Sequence, residues 1–432
     1  MQRTHRILAL ALVLGSASLV ACGDDDNPAG GEGGELEVPT AYVFDSRFNA
    51  GESSVSYGGQ VVRNLLLQDL KIFIDDLGKA GAQPATAADL LRFYEYDDAF
   101  DLQSLSDAGA KTVVENRYSA ISTGKNLAGK ISPAPVLSYG RSADELVREW
   151  FEAIAANAQD PDKLGTPAVY TTDEGVDLTQ MINKVLIGAV VYHQSAGVYL
   201  DGLFERDNGA PSAEGGPYTA MEHGWDEAFG YFGAARDYGR YTDEQLAGGA
   251  DDYTFDSNSD GMIDFRSEYN FGLSRNAGKR DRGGSGVDFT GEIFRAFRTG
   301  RALIADQGSV ADISAQRQAA AEGMEKVIAA TVVHYINDTL GDMAALGTDD
   351  ENRVNLNKHW AEMKGFTVAL QYSPFRLVSE DELRELHLLM GQAPAYDLPG
   401  SAAYGETAAG MARAKEILQQ AYGFADANMA GW

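Results

Sequence analysis

The spacing of apolar residues constrains this chain more than any other feature. Val61, Val62, Leu65, Leu66, Leu70 and Phe73 recur at i, i+3 and i+4, so they line one face of a helix. The same period runs through 178–205, 219–237, 289–305, 311–343, 353–371 and 406–422. Ser142–Glu145 and Ser379–Glu382 read as capping boxes, in which a hydroxyl takes orphan amides at a helix start and the glutamate bonds back. They predict helices near 143–157 and 380–392. Strand-like alternation is scarce, and only Thr40–Tyr57 is expected to hold short extended pieces. A helix buries its apolar stripe against another helix. The expected class is therefore all-α (mainly α), built as helical bundles.

Two stretches repeat. Residues 184–191 (KVLIGAVV) resemble 326–333 (KVIAATVV), followed by Tyr192-His193 and His334-Tyr335. Farther on, 225–231 (WDEAFGY) and 360–366 (WAEMKGF) share the pattern Trp-x-Glu-x-x-Gly-aromatic. Two matched motifs in one order suggest a duplicated helix pair, hence two related bundles over 39–248 and 289–432. Between them, 249–288 is rich in Gly, Asp, Asn, Ser and Arg and reads as a loop insertion.

The N-terminus predicts export. Arg3 and Arg6 precede an apolar run over 7–21 that ends Leu19-Val20-Ala21-Cys22, the pattern of a bacterial lipoprotein cleavage box. The expected signal peptide is 1–21, with Cys22 lipidated and seated in a membrane leaflet. Residues 22–38 read as a flexible acidic tether. The expected location is the cell envelope, with the chain lipid-anchored to the outer membrane on its periplasmic face or at the cell surface. Cys22 is the chain's one cysteine, so no disulfide framework or multi-cysteine metal site is available. Loss of Arg3 and Arg6, with no acid removed, takes the net charge from −29 to −31. That excess argues against a nucleic-acid partner, because phosphate binding needs clustered Lys and Arg.

Within 256–268 (DSNSDGMIDFRSE), Asp256, Asn258 and Asp260 alternate as the first calcium-loop ligands. Gly261 takes the sharp turn, Met262 offers a carbonyl, Ile263 pins the loop and Asp264 follows at the ninth position. The twelfth position is Ser267, and Glu268 comes one residue late, so either a slight bulge brings Glu268 in or Ser267 and water close the loop. A single structural Ca2+ is expected here, outside a paired EF-hand, with an Asx-rich turn that holds no metal as the alternative. Arg275, Lys279, Arg280 and Arg282, then Arg295, Arg298 and Arg301, make a positive segment. Its plain reading is a solvated loop. Neutralising nearby carboxylates or holding an anion are the alternatives.

His223 and Glu227 (i, i+4), His359 and Glu362 (i, i+3), and His334 and Asp338 each share a helix face. Imidazole and carboxylate facing a bundle core can bind iron or zinc. His223, Glu227, His359 and Glu362 are thus a candidate second metal or ligand site, with plain core packing as the alternative.

Val55-Ser56-Tyr57-Gly58-Gly59-Gln60 with Arg63, Lys184–Tyr192, Asp226–Gly233, the 256–268 loop and Glu362–Phe366 together resemble the domain-of-unknown-function family 4856, which is similar to imelysin-like helical proteins. The resemblance implies an exported helical lipoprotein without established enzymatic activity. Imelysin-like proteins are linked to iron uptake and carry Gly-x-His-x-x-Glu. Here His359-Trp-Ala-Glu362 matches the last part, but Asn357 stands at the glycine. The expectation is a calcium-binding, non-catalytic lipoprotein that holds a ligand or an outer-membrane uptake partner, within metal or iron acquisition. The alternative is an envelope hydrolase using the paired Glu and His residues.

Overall fold

The computed structural model describes residues 36–248, 253–283 and 285–432. The expected lipoprotein signal, Cys22 and most of the expected acidic tether lie outside the described residues. Helix starts carry the caps their sequence predicts. Ser142 accepts the Glu145 amide at 3.3 Å while Glu145 accepts the Ser142 amide at 2.9 Å, and Ser379 and Glu382 do the same at 3.2 and 2.8 Å.

In chain order the helices are α1 (Gly58–Leu77), α2 (Ala87–Tyr94), α3 (Tyr118–Ile121), α4 (Ala143–Asn157), α5 (Leu178–Leu186), α6 (Ala220–Phe232) and α7 (Asp243–Ala247). Next come α8 (Gly272–Asp281), α9 (Phe289–Ala305), α10 (Val310–Ala344), α11 (Arg353–Ala369), α12 (Glu380–Met390), α13 (Ala402–Tyr422) and α14 (Asp426–Gly431). The protein is mainly α. The 35-residue α10 packs between α9 and α11, α11 packs on α5, and α1 crosses both α5 and α6. The α1 stripe does what its spacing demands: Val62, Leu65 and Leu66 are wholly buried, each worth about 1.5–3 kcal/mol. Glu37–Trp432 forms one compact unit that contains both expected bundle regions.

Three features depart from the pattern. First, the helix beginning as α5 widens into a π-helix over Ile187–Leu200. Glycine lets this segment approach its neighbours: a Cβ on Gly188 would lie 2.5 Å from Ala369 Cα. Second, 249–288 is more than a loop. It contains α8, whose few apolar side chains are held by packing on α7, α9 and α10. A Cβ on Gly278 would meet Leu246 Cβ at 2.4 Å. Tertiary contact thus overrides weak helical composition. Third, Thr40–Tyr57 pairs only as an isolated Asp45–Ser53 bridge. Its backbone instead carries Tyr42 onto Phe229, with ring centroids 3.8 Å apart. The described ladder is β1 (Thr112–Val113) parallel to β2 (Met262–Ile263), which ties the 256–268 loop to a distant segment.

Arg301 is no solvated cation. Wholly buried, it donates to Asp226 and Glu222 at 3.0 Å each and to Ser54 at 2.7 Å. Tyr42 and the Ser56 amide complete Asp226, and Arg47 joins Glu222. Burial raises the Asp226 carboxyl, and Arg301 opposes that shift.

Candidate anion-binding cavity

The start of α1 builds the site. Tyr57 supplies no side-chain cap, and the Gly58 and Gly59 amides make no hydrogen bond among the described residues. These free amides and the helix dipole favour a negative charge at this end. Gly59 also leaves room for the Lys125 side chain, since a Cβ there would lie 2.9 Å from its Cε.

From α6, His223 and Glu227 face the same space. His223 stacks on Tyr218 at 4.6 Å, its Nδ1 lies 3.1 Å from the Ser56 carbonyl, and its Nε2 lies 3.9 Å from Glu227. Glu227 accepts from Gln60 at 2.8 Å and from Tyr199 at 3.1 Å. One turn on, Gly230 allows this crossing, since a Cβ there would meet those of Tyr57 and Gln60 at 2.7 and 2.9 Å.

The result is a cavity of about 510 Å³. Arg63, Lys125, Lys130, Arg236 and Arg266 line it, against one lining carboxylate, Glu227. In a chain of net charge −29 this is a local inversion of sign. Burial lowers the Lys130 ammonium pKa, and repulsion from Arg63 adds to that shift. An oxyanion bound here would relieve the repulsion and meet a helix N-terminus.

The 256–268 loop borders this cavity. Gly261 turns at φ +84°, and its amide donates to Asp256 at 2.8 Å. The Asp260 amide donates to Asn258 at 2.9 Å, and the Met262 amide to Asp260 at 2.8 Å. Ile263 is fully buried. Glu268 folds back into the loop and accepts the Ser257 and Asp264 amides, each at 2.9 Å. One residue from the ladder, Asp264 pairs with Arg266 at 3.5 Å. Arg266 donates to the Ala120 carbonyl, and the Arg236 amide to the Ser267 carbonyl. Both arginines line the cavity.

The second expected pair divides. His359 Nδ1 lies 2.7 Å from Asp342, while Glu362 accepts from Tyr335 at 2.9 Å and pairs with Lys184 at 3.3 Å. Burial opposes the charge on His359, but Asp342 holds its pKa above the ordinary value. Burial likewise opposes the Glu362 charge, but Lys184, Lys358 and the Tyr335 hydroxyl together hold the carboxyl low. His334 sits 3.3 Å from Asp338. Thus His223 and Glu227 share a cavity, whereas His359 and Glu362 turn to different partners. Among the described residues no group of three or more His, Cys, Asp or Glu is arranged to hold a metal ion.

The two Trp-x-Glu motifs nonetheless sit in like surroundings. Trp225 donates to the Phe297 carbonyl at 2.8 Å and Trp360 to that of Met390 at 3.0 Å. Each glutamate takes a tyrosine hydroxyl. Lys184 crosses at Gly365, where a Cβ would lie 2.6 Å away, much as Gln60 crosses at Gly230.

Lys125, Lys130, Tyr199, Arg236 and Arg266 were not among the site residues expected from sequence. They come from separate segments, and no local spacing marks them. Only the Gly58-Gly59 pair beside Gln60 and Arg63 hints at close approach to a ligand.

No helix among the described residues is long and apolar enough to cross a membrane. No curated protein and no solved structure matches the chain. The imelysin-like kinship is not among the matches. Residues 39–379 match the model of DUF4856, a domain of unknown function, and the chain belongs to that family.

Proposed function

We propose that this is an exported, non-catalytic binding protein whose ligand is a small anion carrying carboxylate or phosphate oxygens. One observation carries the reading: segments far apart in sequence bring five cationic side chains and the open end of α1 around a single cavity. The ordering of Glu227 by Gln60 and Tyr199 gives the cavity a fixed polar wall, which suits recognition. Cys22 would hold the protein to the outer membrane, and an anionic metal chelate as ligand would connect the site to metal or iron acquisition. A duplicated helix pair is the economical account of the two matched Trp-x-Glu settings.

The 256–268 loop is part of the proposal. Asp256, Asn258, Asp260, the Met262 carbonyl, Asp264 and Glu268 would supply hard oxygens to Ca2+, and the turn at Gly261 and the buried Ile263 suit such a loop. Calcium there would brace the wall that carries Arg236 and Arg266.

Isothermal titration of the purified mature chain with citrate and with inorganic phosphate tests the site. Saturable binding of either is expected, falling at least tenfold in a Lys125→Ala, Lys130→Ala double variant. Glu227→Gln, which removes the opposing charge, should retain or strengthen binding; a hydrolase reliant on that carboxylate would lose turnover instead. No binding of either anion, or binding indifferent to the double variant, would overturn the reading.

A further inference from the structure

A second cavity, of about 410 Å³, opens between α1, α5 and α8. It shares none of its lining residues with the first. Four cations line it: Lys71, Lys184, Arg275 and Lys279. Three are already engaged. Lys71 pairs with Asp75, Lys184 with Glu362, and Arg275 donates to the Leu246 carbonyl. Asp107, its only lining carboxylate, accepts the Tyr253 hydroxyl at 2.6 Å.

Lys279 has no hydrogen bond or ion pair through its ammonium among the described residues. Burial, then Lys184 and Arg275, push its pKa down to about 8. Half-buried on the cavity wall, this ammonium has no counter-charge in contact. The rest of the wall mixes polar side chains, among them Asn64, Gln68, Asn183 and Asn276, with an apolar strip of Leu67, Ile72, Ile187, Val191 and Leu273.

We infer that this cavity is a binding site for an amphipathic monoanion, a single carboxylate on a short unbranched hydrocarbon chain. The carboxylate would meet Lys279 and Arg275, and the chain would lie along Leu67, Ile187 and Leu273. At roughly 30 Å³ per water-sized unit, the space suits about a dozen heavy atoms. This differs from the first cavity, whose polar lining suits a compact oxyanion.

Octanoate is the probe, with 1-octanol and acetate as controls for its two halves. Calorimetric titration of the mature chain should show octanoate binding at least tenfold tighter than either control. Lys279→Met should weaken octanoate tenfold or more, while Lys279→Arg retains it. Arg275→Gln, at a half-exposed position, should weaken it as well and serves if Lys279→Met fails to fold. The Lys125→Ala, Lys130→Ala variant should leave octanoate unaffected, which separates this site from the first. Octanol binding as tightly as octanoate, acetate binding as tightly, or octanoate affinity unchanged in a folded Lys279→Met or Arg275→Gln protein would each overturn the inference.

Discussion

Replacing Arg301 with Met removes the single cation that reaches both Asp226 and Glu222 in a fully buried setting. Methionine fills much of the same volume, so the loss is electrostatic rather than a cavity. Glu222 keeps Arg47 at 3.2 Å and the Thr219 amide at 2.8 Å, so it is partly compensated. Asp226 keeps only neutral donors, the Tyr42 hydroxyl and the Ser56 amide. Breaking a buried pair from one side costs about 3–5 kcal/mol, because the remaining charge stays desolvated. Urea denaturation followed by far-ultraviolet circular dichroism should show a loss in that range. Adding Asp226→Asn to Arg301→Met should recover about 1–2 kcal/mol, since the stranded charge is gone. A loss below about 1 kcal/mol, or a double variant less stable than the single one, would refute the account of Arg301 as the core's counter-ion.

Three further outcomes follow. Gly365→Ala should cost about 1–3 kcal/mol, read by the same denaturation, because its Cβ would lie 2.6 Å from Lys184 Cβ at a packed crossing; an unchanged midpoint would mean that the helices separate freely. His387 is buried with neither ring nitrogen bonded, and burial, then Lys364, push its pKa down to about 3. The unfolded histidine titrates near 6.5, so stability present above that pH falls as the pH drops toward 3, by about 2 kcal/mol at pH 5; His387→Leu should lack that component between pH 7 and 5. Millimolar Ca2+ added to EGTA-treated protein should raise the melting temperature, and Asp256→Ala should abolish the rise; no rise in the parent protein would remove the calcium proposal.

The long helices were legible because their stripes and caps are local signals. The helix expected over 311–343 is α10, and the one over 289–305 is α9. What was not legible depends on neighbours distant in sequence. The polar surface of α8 reads as loop until Leu246 and α10 cover it. Arg301 lies in a run of arginines that differ little in sequence, yet Arg295 is exposed and Arg301 is wholly buried. The π winding after α5 leaves no mark in composition, because the same apolar residues suit either helix. For the sites, the i, i+4 spacing of His223 and Glu227 placed both on one wall of the first cavity. The spacing of His359 and Glu362 was equally suggestive, but Asp342 and Lys184 draw those side chains to different partners.

The wide-wound segment bears on how the two cavities relate. One continuous rod supplies Lys184, Ile187 and Val191 to the second cavity and Tyr199 to the first. Their relative azimuth is therefore set by how many residues the rod spends per turn. Each residue taken up or released as the winding tightens or loosens would rotate everything beyond it by about 100°. The rod's pitch, rather than any side chain on it, therefore sets the direction in which Tyr199 faces relative to Lys184.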